Sequence, residues 1–295
     1  MRKNVLFVDY FSYEDITLEK MRPRLEEMAA NGVRLTTLSS DMMKRLIDHP
    51  EDVPAMHRLF DEFGISCHSA HGLWRDGEEI TVPFEGDRKR MLARVARTLE
   101  LAAEFGGKTC TIHATTWANS TFDARPMEKW REYISDALEK LVPMAERLGV
   151  CIAMENIWGP TDTPLELAAY ARRFDSPSFG LCYDAGHANV MSASGVRTWG
   201  CLPWIWEKYG DIQWFDDALD IMLPYIVTAH LHDNNTADDH HDLPGKGNID
   251  WKTLVPKLMS APRLVSVSSE VSTALGYSVK EIRDSFKAVL PPECF

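Results

Sequence analysis

Short runs of apolar and β-branched residues alternate along the chain with longer segments whose apolar positions recur at helical spacing. This is the pattern of a parallel sheet whose strands are joined by helical crossovers. Eight such units can be counted. Strands are expected at Asn4–Tyr10, Val33–Ser39, Ile65–His71, Thr109–His113, Val150–Asn156, Ser178–Tyr183, Ile226–His232 and Arg263–Glu270. Helices are expected at Thr17–Ala30, around Met56–Phe63, and at Asp87–Phe105, Met127–Leu148, Pro164–Phe174, Trp251–Met259 and Ser278–Val289. The punctuation agrees: Asn31-Gly32, Gly106-Gly107 and Gly149 stop helices, and Pro164 opens one. Several strands are apolar at consecutive positions, as strands covered on both faces must be.

Eight βα units closing on themselves predict an α/β fold of the (β/α)₈ TIM-barrel type, with residues 1–295 as one domain. A doubly wound open sheet would use the same alternation, but no GxGxxG follows the first strand. That absence also speaks against a nucleotide cofactor. The stretch 192–217 after the sixth strand, rich in Trp204, Trp206 and Trp214, is too long for a simple connection and is expected to be an insertion serving as a lid or facing substrate.

Composition narrows the class. At 295 residues, 45 % hydrophobic and 26 % charged, the chain can bury a sizeable core. No apolar stretch approaches the roughly 18 residues of a membrane span, and Met1-Arg2-Lys3 runs straight into a strand, so the default expectation is a cytoplasmic protein. The net charge of −12 opposes non-specific binding to nucleic acid or to anionic lipid. Cys67, Cys110, Cys151 and Cys182 lie in strand-like segments without a CxxC pair, which predicts reduced core thiols.

Metal-capable side chains collect at the C-terminal ends of strands three to eight: His68 and His71, His113, Glu155, Asp184 with His187, His230 with His232 and Asp233, and Glu270. In a barrel these ends meet on one face, where active sites of the fold are built. Any one of them alone reads more simply as a helix cap or a satisfied polar group. Six strands each delivering such a residue at one level point to a divalent metal, and the mixture of carboxylate and imidazole suits Zn, Mn, Fe or Co. Asp239 and His241 stand two apart in a segment expected to be extended, a spacing that would turn both toward the site. Asp250 is expected to cap the next helix. Trp158 is the tryptophan best placed to stack on a sugar ring; Trp74, Trp117 and Trp204 read as packing. Cys182 reads as a small filler of the barrel.

Taken together, MENIWGP (154–160), CYDAGHAN (182–189), HLHDNN (230–235), DHHDLPGKGNIDW (239–251) and Glu270 resemble the xylose-isomerase-like barrel superfamily of sugar-phosphate isomerases and epimerases, inosose dehydratase, ketose 3-epimerases and the endonuclease four family. The resemblance spans His71 to Glu270. It implies a metal held by Glu155, Asp184, His230 and Glu270, with Glu155 and Glu270 also exchanging protons on opposite faces of a ketose. The position of His187 touches substrate in that branch. Thr161 and Thr236 stand where ketose 3-epimerases carry a glutamate and an arginine, which speaks against that particular activity. The three-zinc set of the endonuclease four branch maps onto His71, His113, Glu155, Asp184, His187, His230, Asp239, His241 and Glu270.

The leading expectation is therefore a metal-dependent isomerase or epimerase, or a dehydratase, acting on a small carbohydrate or polyol, with a homo-oligomer compatible with the sequence. A non-phosphorylated substrate is favoured because no phosphate-binding glycine motif follows strands seven or eight. A zinc phosphodiesterase is the second reading, against which stand the net charge and the isolation of Arg75 and Lys246. A non-catalytic sugar-binding barrel is the third. His71, His113, His187, Asp239 and His241 would hold either substrate or further metal.

Overall fold

The structure, a computed structural model, describes residues 5–11, 16–74, 78–81, 85–115, 126–195 and 205–295. Trp117, Trp204 and Arg75 lie outside the described residues, as does 196–204 of the expected insertion. Eight parallel strands form a closed barrel in sequence order, with β1 (Leu6–Asp9) pairing both β2 (Leu35–Leu38) and β8 (Ser266–Ser269). Between them run β3 (Ser66–His71), β4 (Thr109–Ile112), β5 (Cys151–Glu155), β6 (Phe179–Asp184) and β7 (Ile226–Leu231). The open sheet is thereby excluded. Every residue of β4, β6, β7 and β8 is buried, which explains the consecutive apolar positions.

The outer ring is α1 (Leu18–Ala30), α2 (Ser40–Asp48), α3 (Val53–Phe63), α4 (Glu85–Glu104), α5 (Met127–Leu148) and α6 (Pro164–Phe174), followed by α7 (Ala185–Val190), α8 (Ala218–Met222), α9 (Trp251–Met259) and α10 (Val279–Val289). Side-chain caps fix most starts: Thr17, Ser39, Thr163 and Asp250 each accept from the first turn, and Ser278 makes a capping box with Glu281. Asp250 is thus the expected cap. Gly149 takes φ 69° at the end of α5, the left-handed conformation that stops a helix most cheaply on glycine.

One connection differs from expectation. After β2 the chain makes two helices, not one, because Ser39 caps α2 and Pro50 opens a 3₁₀ turn that redirects the chain into α3. The described part of the insertion is packed: Ile205 and Trp206 join Trp130, Val190 and Met191 in a hydrophobic cluster separate from the main core. Trp206 Nε1 donates to the carbonyl of Trp158 at 2.9 Å, and Trp130 Nε1 to Tyr209 Oη at 2.8 Å. Cys182 packs with Ala153, Val227 and Cys151, and burial pushes its thiol up to about 12, which keeps it neutral, as a filler should be. Among the described residues no disulfide forms, and no helix is long and apolar enough to cross a membrane.

Candidate metal centre

The ends of β3 to β8 on one face of the barrel each present a ligand-type side chain. Glu155, the last residue of β5, lies at the middle, fully buried. Its Oε1 is 3.1 Å from His230 Nδ1, and its Oε2 is 3.0 Å from His113 Nε2 and 3.4 Å from His71 Nε2. Glu270, just past β8 and half-buried, brings Oε2 to 3.0 Å from the same His230 Nδ1. Burial alone would raise the Glu155 carboxyl, but His230, His113 and His71 hold it well below the usual carboxylate range. Glu270 is likewise held low by His230 against its burial. Burial disfavours charge on His230, yet the Glu270 and Glu155 carboxylates beside it push it well above the ordinary imidazole value.

Asp184 ends β6 and caps α7. Its backbone is fixed by Asn156, whose Oδ1 accepts from Asp184 N at 2.8 Å and whose Nδ2 donates to Asp184 O at 3.0 Å. Asp184 Oδ1 accepts from His187 N at 2.6 Å, a helix-capping bond. Potential ligand atoms of Glu155, Asp184, His230 and Glu270 all lie within 4.8 Å of one another, and so do those of His71, Glu155 and His230.

A second group stands beside the first. His187, His232, Asp239 and His241 also bring ligand atoms within 4.8 Å of one another. Asp239 Oδ2 is 3.3 Å from His187 Nε2 and 3.0 Å from His241 Nε2. Asp239 and His241 do meet, but not by the alternation of an extended strand: His241 takes φ 51°, a turn that swings its ring back over Glu270. The cause is the loop's anchorage. Asp233 pairs with Asp242 through both backbone bonds, and its buried carboxylate gathers the N–H groups of Asn234 (3.0 Å), Gly245 (2.7 Å), Ile249 (3.2 Å) and the Trp251 indole (2.9 Å). The DLPGKGNIDW stretch is therefore a clasp, and His240 on its outer side is exposed.

Burial opposes charge on His241 and His187, but Asp239 drives His241 up to about 10, and Asp184 with Asp239 lifts His187 well above its ordinary value. Asp239 is correspondingly held low by His241 and His187 in spite of its burial. Trp158 stands edge-on to His187, ring centres 4.9 Å apart.

These residues fit a divalent cation. His71, His187 and His241 each donate Nδ1–H to a backbone carbonyl, of Gly72 (2.9 Å), Asn156 (2.9 Å) and Glu270 (2.7 Å), which fixes Nε2 toward a carboxylate. This is how metal-binding imidazoles are oriented. Asp184 Oδ2 and Asp239 Oδ1 are buried without a hydrogen bond among the described residues. Buried carboxylate oxygens left without donors are costly unless a cation meets them. The raised basicity of His187, His230 and His241 favours protons that offset the negative charge in this geometry, and a bound cation would displace them.

All nine residues singled out in the sequence converge on this face. His68 does not: three residues earlier on β3, and so on the opposite face of the strand by alternation, it lies beside Lys108, where burial lowers its basicity. His232, counted in the sequence only among the metal-capable side chains after strand seven, joins the second group, and Tyr10, which the sequence did not single out, brings its ring 6.1 Å from His71 and 5.9 Å from His230.

The family model of the xylose isomerase-like TIM barrel matches residues 23–286. The chain belongs to that family. Among its relatives, a 3-dehydro-D-guloside 4-epimerase of Escherichia coli strain K12 is 28 % identical over 251 residues, covering 82 % of this chain and 81 % of its own. Of solved structures, a 3-keto-D-glucoside 4-epimerase from E. coli superposes with TM-score 0.70 at 19 % identity, over 97 % of this chain and 98 % of that one. A D-psicose 3-epimerase crystallised in the presence of D-fructose gives TM-score 0.68 at 15 % identity, over 96 % and 90 %. At those identities the superpositions speak for the shared barrel.

Proposed function

We propose that this family member is a metal-dependent carbohydrate epimerase or isomerase that moves a proton at a carbon beside a sugar carbonyl. The observation that carries the reading is the convergence of Glu155, Asp184, His230 and Glu270 from four strand ends, with buried oxygens left over for a cation. The kinship with a 3-dehydro-D-guloside 4-epimerase supports it. A Zn, Mn, Fe or Co ion held by those four residues would polarise the carbonyl and acidify the neighbouring C–H.

The chain's own groups supply the rest. Glu270, partly open, and Glu155, fixed by His113 and His71, act as the acid and base pair, one taking the proton and the other returning it on the opposite face. His187, with Trp158 edge-on to it, orients the sugar ring. Thr161 is buried with its hydroxyl donated to Asp162 Oδ2 at 2.7 Å, and Thr236 donates to the Asn235 carbonyl at 2.5 Å. Neither hydroxyl offers a free ketose the carboxylate or guanidinium contact of a ketose 3-epimerase, so a keto-glycoside, the substrate type in the name of the E. coli relative, is the better-suited substrate.

The test is solvent exchange. In D₂O with added Mn²⁺, Co²⁺ or Zn²⁺, 3-keto-glycosides should gain deuterium beside the ketone, and Glu155→Gln or Glu270→Gln should each slow this by about 10²–10⁴-fold with the far-UV spectrum unchanged. Undiminished exchange in either variant removes the acid and base assignment, and no exchange on any keto sugar removes the function.

The second group of His187, His232, Asp239 and His241 favours one further reading, a multinuclear phosphodiesterase. Elemental analysis separates the two, since a single ion per chain leaves no role for that chemistry.

A further inference from the structure

His232 lies one residue beyond the end of β7 and is wholly buried, yet nothing in the proposed chemistry uses it. Its Nε2 stands 3.1 Å from Asp184 Oδ1. A carboxylate oxygen only accepts, so Nε2 carries the hydrogen and Nδ1 the lone pair. That lone pair has no partner among the described residues. It faces the backbone of α7, where a Cβ on Gly186 would come within 2.4 Å of Nδ1. An unpaired buried nitrogen is destabilising, so a side chain kept here for volume alone would be apolar.

Asp184 Oδ1 thus accepts from His187 N and from His232 Nε2 together, while Oδ2 has no hydrogen bond among the described residues. We propose that His232 is a positioning residue of the metal centre: its hydrogen bond fixes Asp184 Oδ1, so that Oδ2 is presented to the divalent cation shared with Glu155, His230 and Glu270. The same ring lies flat against His241, centres 3.7 Å apart at 9°, and so braces a residue of the second group as well. Direct ligation by His232 is the competing role, since Nε2 is 3.9 Å from Asp239 Oδ1. It would require Nε2 to give up the hydrogen it donates to Asp184.

This inference rests on the metal reading above, and the experiment keeps the two apart. Metal-free wild type, His232→Gln, His232→Asn and His232→Leu are titrated with Zn²⁺ and with Co²⁺ against a chromogenic chelator, with circular dichroism and thermal unfolding of each metal-free form alongside. The glutamine amide reaches Asp184 and should retain wild-type affinity. Asparagine is too short and leucine has no donor, so both should bind about 10–100-fold more weakly with the number of ions unchanged. Wild-type affinity in the asparagine and leucine variants overturns the positioning role. Loss of one whole equivalent in all three, glutamine included, overturns it in favour of ligation. Failure of the wild type to bind either ion removes the metal reading and this inference with it.

Discussion

Gly186→Ala is the sharpest probe of how closely the site is packed. A Cβ at this position in α7 would sit 1.9 Å from His232 Cε1, 2.4 Å from Nδ1 and 2.5 Å from Nε2. Restoring ordinary contact near 3.4 Å means moving a fully buried ring by about 1.5 Å, into the space held by His241. Overpacking of this kind costs about 1–3 kcal/mol, and losing the bond to Asp184 adds about 1.5–3 kcal/mol. Against this, alanine is the better helix former by at most about 1 kcal/mol. The balance is a loss of about 3 kcal/mol, which at about 1.5–2 °C per kcal/mol for a chain of this size lowers Tm by about 5 °C. Calorimetry of Gly186→Ala in wild-type and His232→Ala backgrounds isolates the cause, because removing the ring should make the substitution neutral or mildly stabilising. An equal loss in both backgrounds, or a Tm at or above wild type in the single variant, refutes the close-approach argument.

Other expectations follow from the same geometry. Adding Zn²⁺ or Mn²⁺ to chelator-stripped protein at about 100 times Kd should stabilise it by about 2.7 kcal/mol, and Asp184→Asn should abolish most of that thermal shift. Trp158→Ala should raise KM for a keto sugar by about tenfold, about 1.4 kcal/mol, and leave kcat and metal affinity near wild type; a fall in kcat alone would contradict a stacking role. Burial raises the Asp9 carboxyl from 3.8 to about 6 in spite of its ion pair with Arg283. A raised folded-state value means that ionisation penalises the native state above about pH 6 and not below the unfolded value of 3.8, so the full difference is about 3 kcal/mol. Wild type should therefore gain stability relative to Asp9→Asn as pH falls from about 7.5 to about 5, read from urea unfolding, and a difference that stays flat would show that the carboxyl is not shifted.

The barrel was legible because its determinants are local and repeated. A strand such as VCIAMEN needs only consecutive apolar positions, and its helix needs only Pro164 and a cap, so α5, α6 and α9 begin and end where their sequences say. The proximity of the candidate site residues was legible for a related reason: Glu155, Asp184 and His230 sit at strand ends, and closure of the barrel alone makes them neighbours. What escaped depends on contacts between distant residues. The conformation of His241 follows from a clasp reaching from Asp233 to Trp251, and nothing in the sequence around His241 announces a positive φ. The direction of His232 is set beyond the strand, where alternation no longer governs it, and only the missing side chain of Gly186 opposite reveals it. The division of the β2–β3 connection was missed because α2 offers nine residues, short for a reading that depends on periodicity.

The clasp at Asp233 separates the ends of a loop from its middle. One carboxylate secures the entry at Asn234 and the exit at Gly245, Ile249 and Trp251, while 235–241 crosses the mouth of the barrel between them. Residues 235–238 of the crossing can therefore be lengthened, shortened or exchanged with little disturbance to the scaffold, provided that Asp239 and His241, which belong to the second group, are kept. Transplanting that segment among relatives that retain the aspartate and the tryptophan would offer a route to new sugar selectivity on an unchanged barrel.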